Sequence, residues 1–358
     1  MSETLAVSWK GKRVFLTGHT GFKGGWLALW LAQKGAMVRG YALDPWTDPN
    51  LFTQAKVGSV MEDMRGDIRD AAKLDAAMQE FAPEVVFHMA AQPLVRYSYD
   101  DPIGTYETNV IGTARVLDAV RRVPTVRAVV SVTTDKCYEN VETLQPYRET
   151  DPLGGYDPYS SSKACAEMVS AAYRQSFLSA AGVAVATARA GNVVGGGDWS
   201  TDRLIPDLVR GFLAGEPVKI RRPQAIRPWQ HVLEPLHGYI LLAEKLLGPE
   251  PERYATAFNF GPSEDDAQPV VWIVDRMTQL WGDGARWVLD AEPGVHEAGY
   301  LKLDASRARA ELAWQPQLDL ETALHWLVDW YKASQGGAEM HRVTLEQIAN
   351  YEKLVVPS

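Results

Sequence analysis

The sequence predicts an α/β protein, a Rossmann-type doubly wound parallel sheet with a smaller C-terminal substrate-binding domain. Three observations carry this. Short apolar segments alternate with helical ones through the first 190 residues, a glycine-rich turn joins the first such segment to a helix, and the texture changes after residue 190. Residues 13–17 read as a short buried strand bounded by glycine. Residues 26–33 read as the helix that follows, closing near Gly35, and 36–42 as the second strand. The amphipathic segment 71–81 precedes another strand at 84–89. Residues 108–122 read as a helix and 128–133 as a strand. Pro158 opens a long helix over 159–180, Gly182 ends it, and 183–189 form a further strand. Helices between successive strands imply right-handed crossovers and a parallel sheet. Beyond 190, residues 235–247, 270–280 and 321–333 read as helices and 257–260 as a short strand. The expected division is a nucleotide-binding domain over 1–190, with returning segments near 228–262. Residues 191–358 mainly build the second domain.

The charge balance is 36 Lys and Arg against 45 Asp and Glu, a net −9. That leaves no basic footprint for nucleic acid. Cys137 and Cys165 are too few for a disulfide framework or a structural zinc site, and they suit a reducing compartment. No run of ~18 apolar residues reads as a membrane span. The first ten residues hold no signal-peptide core. The expectation is a cytoplasmic enzyme without nucleic-acid or membrane partners and without a metal.

The turn after the first strand, Gly18-His-Thr-Gly21-Phe-Lys-Gly24, spaces its glycines as G-x-x-G-x-x-G between strand and helix. One glycine permits the tight turn, another lets backbone approach a pyrophosphate, and a third allows close helix–strand packing. The helix N-terminus then faces the phosphates. Asp44 ends the second strand, 26 residues after Gly18. An acid there accepts from a ribose 2′-hydroxyl and repels a 2′-phosphate, which favours NAD over NADP, and no arginine directly follows it. Asp67, in Gly66-Asp67-Ile68, follows another strand end. It reads equally as an adenine contact or a solvated turn acid.

Tyr159 and Lys163 stand four apart at a helix start, on one face. An ammonium nearby and an electropositive cofactor ring lower a phenol's pKa, so the expectation is a phenol primed to take a proton from a substrate hydroxyl. The strand 128–133 ends in Thr133-Thr134-Asp135-Lys136-Cys137-Tyr138. Carboxyl ends of parallel strands face the ligand crevice. Thr134 is placed to bond a substrate hydroxyl, and Asp135 to act as a general acid if burial keeps it protonated. Lys136 is a base if its pKa is depressed, or a salt-bridged surface lysine. Cys137 reads as a small buried filler.

Further motifs complete the pattern: Thr17-Gly-His-Thr-Gly-Phe-Lys-Gly-Gly-Trp26, His88-Met-Ala-Ala-Gln92, Thr134-Asp-Lys-Cys-Tyr-Glu-Asn140, Gly191-Asn-Val-Val-Gly-Gly-Gly-Asp-Trp199 and Arg227-Pro-Trp-Gln-His-Val-Leu-Glu-Pro235. Along essentially its whole length the chain resembles the extended short-chain dehydrogenases/reductases. Within them it is similar to the nucleotide-sugar 4,6-dehydratases of the CDP-glucose type. The resemblance implies tightly held NAD, a homodimer, and a redox-neutral dehydration of the sugar of CDP-glucose. It implies cofactor contacts from Gly18, Thr20, Gly21, Phe22, Lys23 and Gly24, from Asp44, Asp67 and Ile68, from Ala90, Ala91 and Asn109, and from Thr133, Tyr159 and Lys163. The implied catalytic set is Thr134, Asp135, Lys136, Tyr159 and Lys163. The dTDP-glucose relatives carry Asp-Glu where this chain has Asp135-Lys136. Lys136 must shed its charge to be the C5 base, or else it stabilises charge electrostatically.

Between Asp202 and His231 six cations meet three acids, a local reversal of the net charge suited to a diphosphate. Arg227 is the best phosphate ligand by resemblance. Gln92, Asn192, Arg203, Arg221, His231 and Asn259 complete the implied substrate contacts. Trp199 and Trp229 read either as packing on the base or sugar or as core. His88 reads as structural or cofactor-adjacent. A sibling nucleotide-sugar 4,6-dehydratase, a 4-epimerase or simple sugar dehydrogenase, and a catalytically inactive NAD-sensing protein are the competing readings.

Overall fold

The computed structural model describes residues 7–282, 284–290 and 300–355. Seven strands form one parallel sheet: β1 (Arg13–Thr17), β2 (Met37–Ala42), β3 (Glu62–Arg65), β4 (Val85–His88), β5 (Ala128–Val132), β6 (Ala184–Ala190) and β7 (Ala257–Phe260). Their order is β7-β6-β5-β4-β1-β2-β3. The chain starts mid-sheet at β1, winds out to β3, and returns to β4 on the other side of β1. That reversal is the point where doubly wound sheets bind ligands. Every residue of β4, β5 and β6 is buried, as strands covered on both faces require. Val14, Leu16 and Val130 face one core, and Phe15, Val86 and Val129 face the other with Leu74 and Val116.

Aspartates set several helix starts. Asp70, Asp157 and Asp319 accept from Lys73 N (3.1 Å), Ser160 N (2.9 Å) and Thr322 N (2.7 Å). The first helix, Phe22–Gln33, begins earlier than its propensities suggest, because Gly24 and Gly25 lie within it. The crossing explains the glycine: a Cβ on Gly24 would sit 2.1 Å from Gly18 O. The two long helices expected over 108–122 and 159–180 each contain a π turn. One spans Glu107–Ile111, between Pro102–Tyr106 and Gly112–Val120, and the other spans Arg174–Leu178, after Pro158–Tyr173.

After β6 come three small strand pairs, Val193–Val194 with Gln230–His231, Ile226–Pro228 with Ala267–Pro269, and Val218–Ile220 with Trp287–Leu289. Strands of two or three residues carry no readable alternation, so the sequence predicts none of them. Helix Leu233–Leu246 packs on β5 and β6 and leads the chain back to β7. The last helix, Met340–Val355, packs on the first. Trp30 Nε1 donates to Glu352 (2.7 Å), and its ring meets Tyr351 edge-on at 5.6 Å.

Glu234 ties the C-terminal segments together. It accepts from Gln317 N (2.9 Å), Leu318 N (2.8 Å) and the Tyr351 hydroxyl (2.7 Å). Burial pushes its pKa up to about 7. Because the folded value lies above the unfolded one, the native state holds a proton that the unfolded chain releases. Stability from this group is therefore intact below the unfolded value and falls as pH rises from ~4.3 to about 7, by about 3 kcal/mol in all. Glu234→Gln keeps an acceptor for the two amides and offers the Tyr351 oxygen a donor. The variant's melting temperature should exceed the wild type's by several degrees more at pH 8 than at pH 4. Equal differences at both pH values would refute the assignment.

Candidate active site

A cleft of about 1000 Å³ runs along the carboxyl edge of the sheet. Gly18, Thr20, Gly21, Phe22, Lys23 and Gly24 line it at β1, followed by Asp44 at β2, Asp67 and Ile68 at β3, and Ala90, Ala91 and Gln92 at β4. The glycine turn leaves no room for side chains. Gly18 has φ 82°, and a Cβ there would lie 2.7 Å from Ala90 N. Gly21 caps the first helix with no side-chain hydrogen bond, so the helix's first amides face the cleft without a protein cap. This backbone cradle fits a pyrophosphate.

Thr17 and His88 brace the floor. Thr17 Oγ1 accepts from Met89 N and Ala90 N (both 3.1 Å) and lies 2.8 Å from His88 Nδ1. It must then donate to Nδ1, leaving His88 Nε2–H to bond Thr113 Oγ1 at 2.9 Å. Burial drives the His88 pKa down to about 3, so the ring is a neutral strut.

Helix Pro158–Tyr173 brings Tyr159 and Lys163 to the cleft opposite the end of β5. Lys163 Nζ donates to Val132 O at 3.2 Å, and burial lowers its pKa to about 8. Tyr159 departs from expectation. Burial pushes its phenol up to about 12, and the downward pull of a Thr134 hydrogen bond and of Arg203 does not offset it. The ammonium of Lys163 is turned to the β5 carbonyl, so the residue-spacing argument overestimated its grip on the phenol.

One helical turn beyond Lys163, Glu167 is buried. It accepts from Thr133 Oγ1, Thr187 Oγ1 (2.7 Å) and Arg189 Nη2 (2.7 Å), pinning helix Pro158–Tyr173 to β5 and β6. Sequence reasoning missed it, although the stripe Tyr159, Lys163, Glu167 repeats every four residues.

Thr134 N-caps a single turn over Asp135–Cys137. Its hydroxyl donates to Asp135 Oδ1 at 2.9 Å. Asp135 is buried, and its Oδ2 has no partner among the described residues. Gly191 makes space for that oxygen, since a Cβ there would lie 1.8 Å from it. Lys136 is half-buried and lines the cleft. Cys137 is fully buried, and burial drives its thiol pKa well up, as a filler requires. Lys23 donates to the Tyr239 hydroxyl at 3.0 Å. Burial, then Lys163 and Arg203, lower its pKa to about 7.

On the far side Asn192, Arg203, Arg221, Arg227 and Trp229 line the cleft. Asn192 sits at φ 45°, and its Oδ1 and Trp229 Nε1 are buried without a protein partner among the described residues. Such atoms suit a polar ligand. Trp199 is core: its indole donates to Gln54 (2.8 Å) and it packs edge-on against Tyr331.

The model of a family described as GDP-mannose 4,6 dehydratase matches residues 15–259. The chain belongs to this family, within the extended short-chain dehydrogenases/reductases. Among family relatives, a CDP-glucose 4,6-dehydratase of Salmonella typhimurium is 53% identical over 348 residues, covering 96% of this chain and 97% of that one. A dTDP-glucose 4,6-dehydratase of Xanthomonas campestris is 28% identical, covering 89% and 93%. Among solved structures, a dTDP-glucose 4,6-dehydratase from Streptomyces venezuelae with NAD bound is 26% identical, with a TM-score of 0.75 over 92% of this chain and 99% of that one. A UDP-glucose 4-epimerase from Thermotoga maritima shares the fold at a TM-score of 0.79 and 21% identity, covering 90% and 99%.

Not every residue implied by the family pattern reaches the cleft. Asn109 lies behind it, where Oδ1 accepts from Gln92 N (2.9 Å) and Nδ2 donates to Gln92 O (3.0 Å) and Ser162 Oγ (2.9 Å). It braces the Gln92 loop and does not line the cleft. The Gln92 amide is spent on Thr105 and on its own loop at Leu94. His231 is buried between the rings of Trp26 and Trp326, and burial lowers its pKa to about 3. Asn259 is fully buried, bonded to Tyr138, Tyr147 and Asp304. Both are corrected from substrate contacts to core struts.

The Asp67 carboxylate is occupied by Arg69. Burial alone would raise its pKa, and the Arg69 bonds outweigh that and hold it low. Asp44 is 87% exposed, and Arg65 Nε approaches it at 3.6 Å. The β2–β3 register, with Ala42 opposite Arg65, supplies the arginine that the sequence beside Asp44 lacks. That guanidinium also bonds Asp63 (2.9 Å) and Leu43 O (3.2 Å) and lies over Phe52. Arg96 is a further cleft residue that sequence reasoning left out, and Asp202, counted there only among the acids of its segment, lines the cleft as well.

Proposed function

We propose that this chain catalyses the NAD-dependent dehydration of CDP-glucose to CDP-4-keto-6-deoxyglucose, a lyase reaction with no net redox change. The observation that carries the reading is the Thr134-Asp135-Lys136 run sharing one cleft with Tyr159 and Lys163. The 53% identity to a CDP-glucose 4,6-dehydratase supports the choice of nucleotide.

When bound, NAD would supply the acceptor for the hydride of sugar C4 and its donor to C6, and its positive ring would favour the Tyr159 phenolate. The turn from Gly18 to Gly24 and the uncapped helix behind it would hold the pyrophosphate, Asp44 the adenosine ribose, and Lys163 the other ribose. Tyr159 takes the proton of the C4 hydroxyl. The 4-ketone makes the C5 hydrogen acidic, and Lys136 in its neutral form removes it. Asp135 gives a proton through Oδ2 to the C6 oxygen, which leaves as water. Lys136 then returns its proton to C5. The proton gained by Tyr159 replaces the one lost by Asp135, and Thr134, bonded to both, is the link between them. Asn192, Arg203 and Arg227 hold the diphosphate sugar.

Incubation of the purified chain with CDP-glucose and NAD should yield a 6-deoxy-4-ketosugar with no accumulation of NADH. Stoichiometric NADH would favour a dehydrogenase, a galactose product an epimerase, and no turnover an NAD-sensing protein.

The reading includes a cytoplasmic homodimer. Ile103 (68% exposed), Ile111 and Met168 lie open on neighbouring helical segments, and no helix among the described residues is long and apolar enough to cross a membrane. The same preparation should sediment at twice the chain mass, and a monomer would remove that part of the reading.

A further inference from the structure

Asp202 holds two arginines at the substrate side of the cleft. Its Oδ1 lies 3.2 Å from Arg96 Nη1 and 3.9 Å from Arg221 Nη2, and all three residues line the cleft. The Asp202 side chain is 44% exposed and that of Arg221 34%, so both remain reachable. Asp202 sits at φ 57°, in the left-handed region that Asp and Asn enter more readily than other non-glycine residues. Arg203, the next residue, turns instead to Pro93 O (3.3 Å) and Asp198 (3.5 Å). Arg227 is buried on the strand Ile226–Pro228 and bonds Ile226 O (2.9 Å). Arg221 and Asp202 thus set a two-donor fork beside a carboxylate acceptor in the wall of the cleft.

We propose that Arg221 and Asp202 are the base-reading pair, with Arg96 as the positioning residue that holds Asp202 in place. Cytosine presents two adjacent acceptors, O2 and N3, followed by the N4 amine. A guanidinium donates to the first two, and a carboxylate accepts from the third. Uracil and thymine present N3–H and O4 at the latter two positions. One arginine donor would then meet a donor, and the Asp202 oxygen would meet an acceptor. Each such mismatch is worth about tenfold or more in discrimination. The proposal rests on the cytidine nucleotide reading and names the groups that would enforce it.

The test is the ratio of kcat/KM for CDP-glucose over that for UDP-glucose and for dTDP-glucose. It is measured on the wild type, Arg221→Lys, Asp202→Asn and Arg96→Gln. The wild type should prefer CDP-glucose. Arg221→Lys keeps the charge and removes the fork, and should cut the preference about tenfold or more. Asp202→Asn should do the same, and Arg96→Gln should lower it less. Variants that lose activity equally on all three substrates, with the ratio intact, would overturn the pair alone and leave these residues a part in binding common to all three nucleotides. A wild type without preference would overturn the cytidine reading and the pair together.

Discussion

Tyr159→Phe should lower turnover by about 10²–10⁴-fold, with no reduced nicotinamide band appearing when substrate is mixed with the NAD-loaded enzyme. Only a hydroxyl is removed from a buried ring, so the fold stays intact and the effect is chemical. The pH dependence sharpens the test. Burial holds the phenol up at about 12, so the protein's own groups keep it protonated near neutrality. The fraction of phenolate grows as pH rises toward that value. Single-turnover oxidation by the wild type should therefore accelerate with pH, and the residual rate of the variant should not follow it. A variant that still reduces NAD at the wild-type rate would move the base elsewhere.

Asp135→Asn should separate the two halves of the reaction. Oxidation at C4 needs Tyr159 and Thr134, which the change leaves in place. An amide still accepts the Thr134 hydroxyl bond, yet it has no acidic proton to give at the position of Oδ2. The expected result is normal formation of reduced nicotinamide, which then persists while overall turnover drops by about 10²-fold or more. Rapid-scan absorbance distinguishes this from Tyr159→Phe, where the band never forms. Normal turnover of Asp135→Asn would make the general-acid assignment wrong.

The sheet was legible because its signals are local. Buried strands such as Val85–His88 and Ala128–Val132 are apolar runs, and the Gly18–Gly24 turn announces its own geometry. Tyr159 and Lys163 share a helical face by spacing alone. What escaped depends on partners distant in sequence. Arg65 reaches Asp44 through strand register, and Glu167 meets Arg189 across 22 residues of chain. His231 stands in a motif that borders the cleft and Asn259 near the end of β7, but nothing local shows which way each side chain turns, and both turn into the core. The direction of the Tyr159 shift also needed the fold, because the extent of burial decided it.

The clasp between the last helix and the first bears on synthesis. Trp30, in the helix whose amino end meets the cleft, makes its indole hydrogen bond to Glu352. A nascent chain leaving the ribosome therefore lacks a brace for its cofactor-binding element until the final helix has emerged. Trimming that helix would loosen the start of the molecule as well as its end.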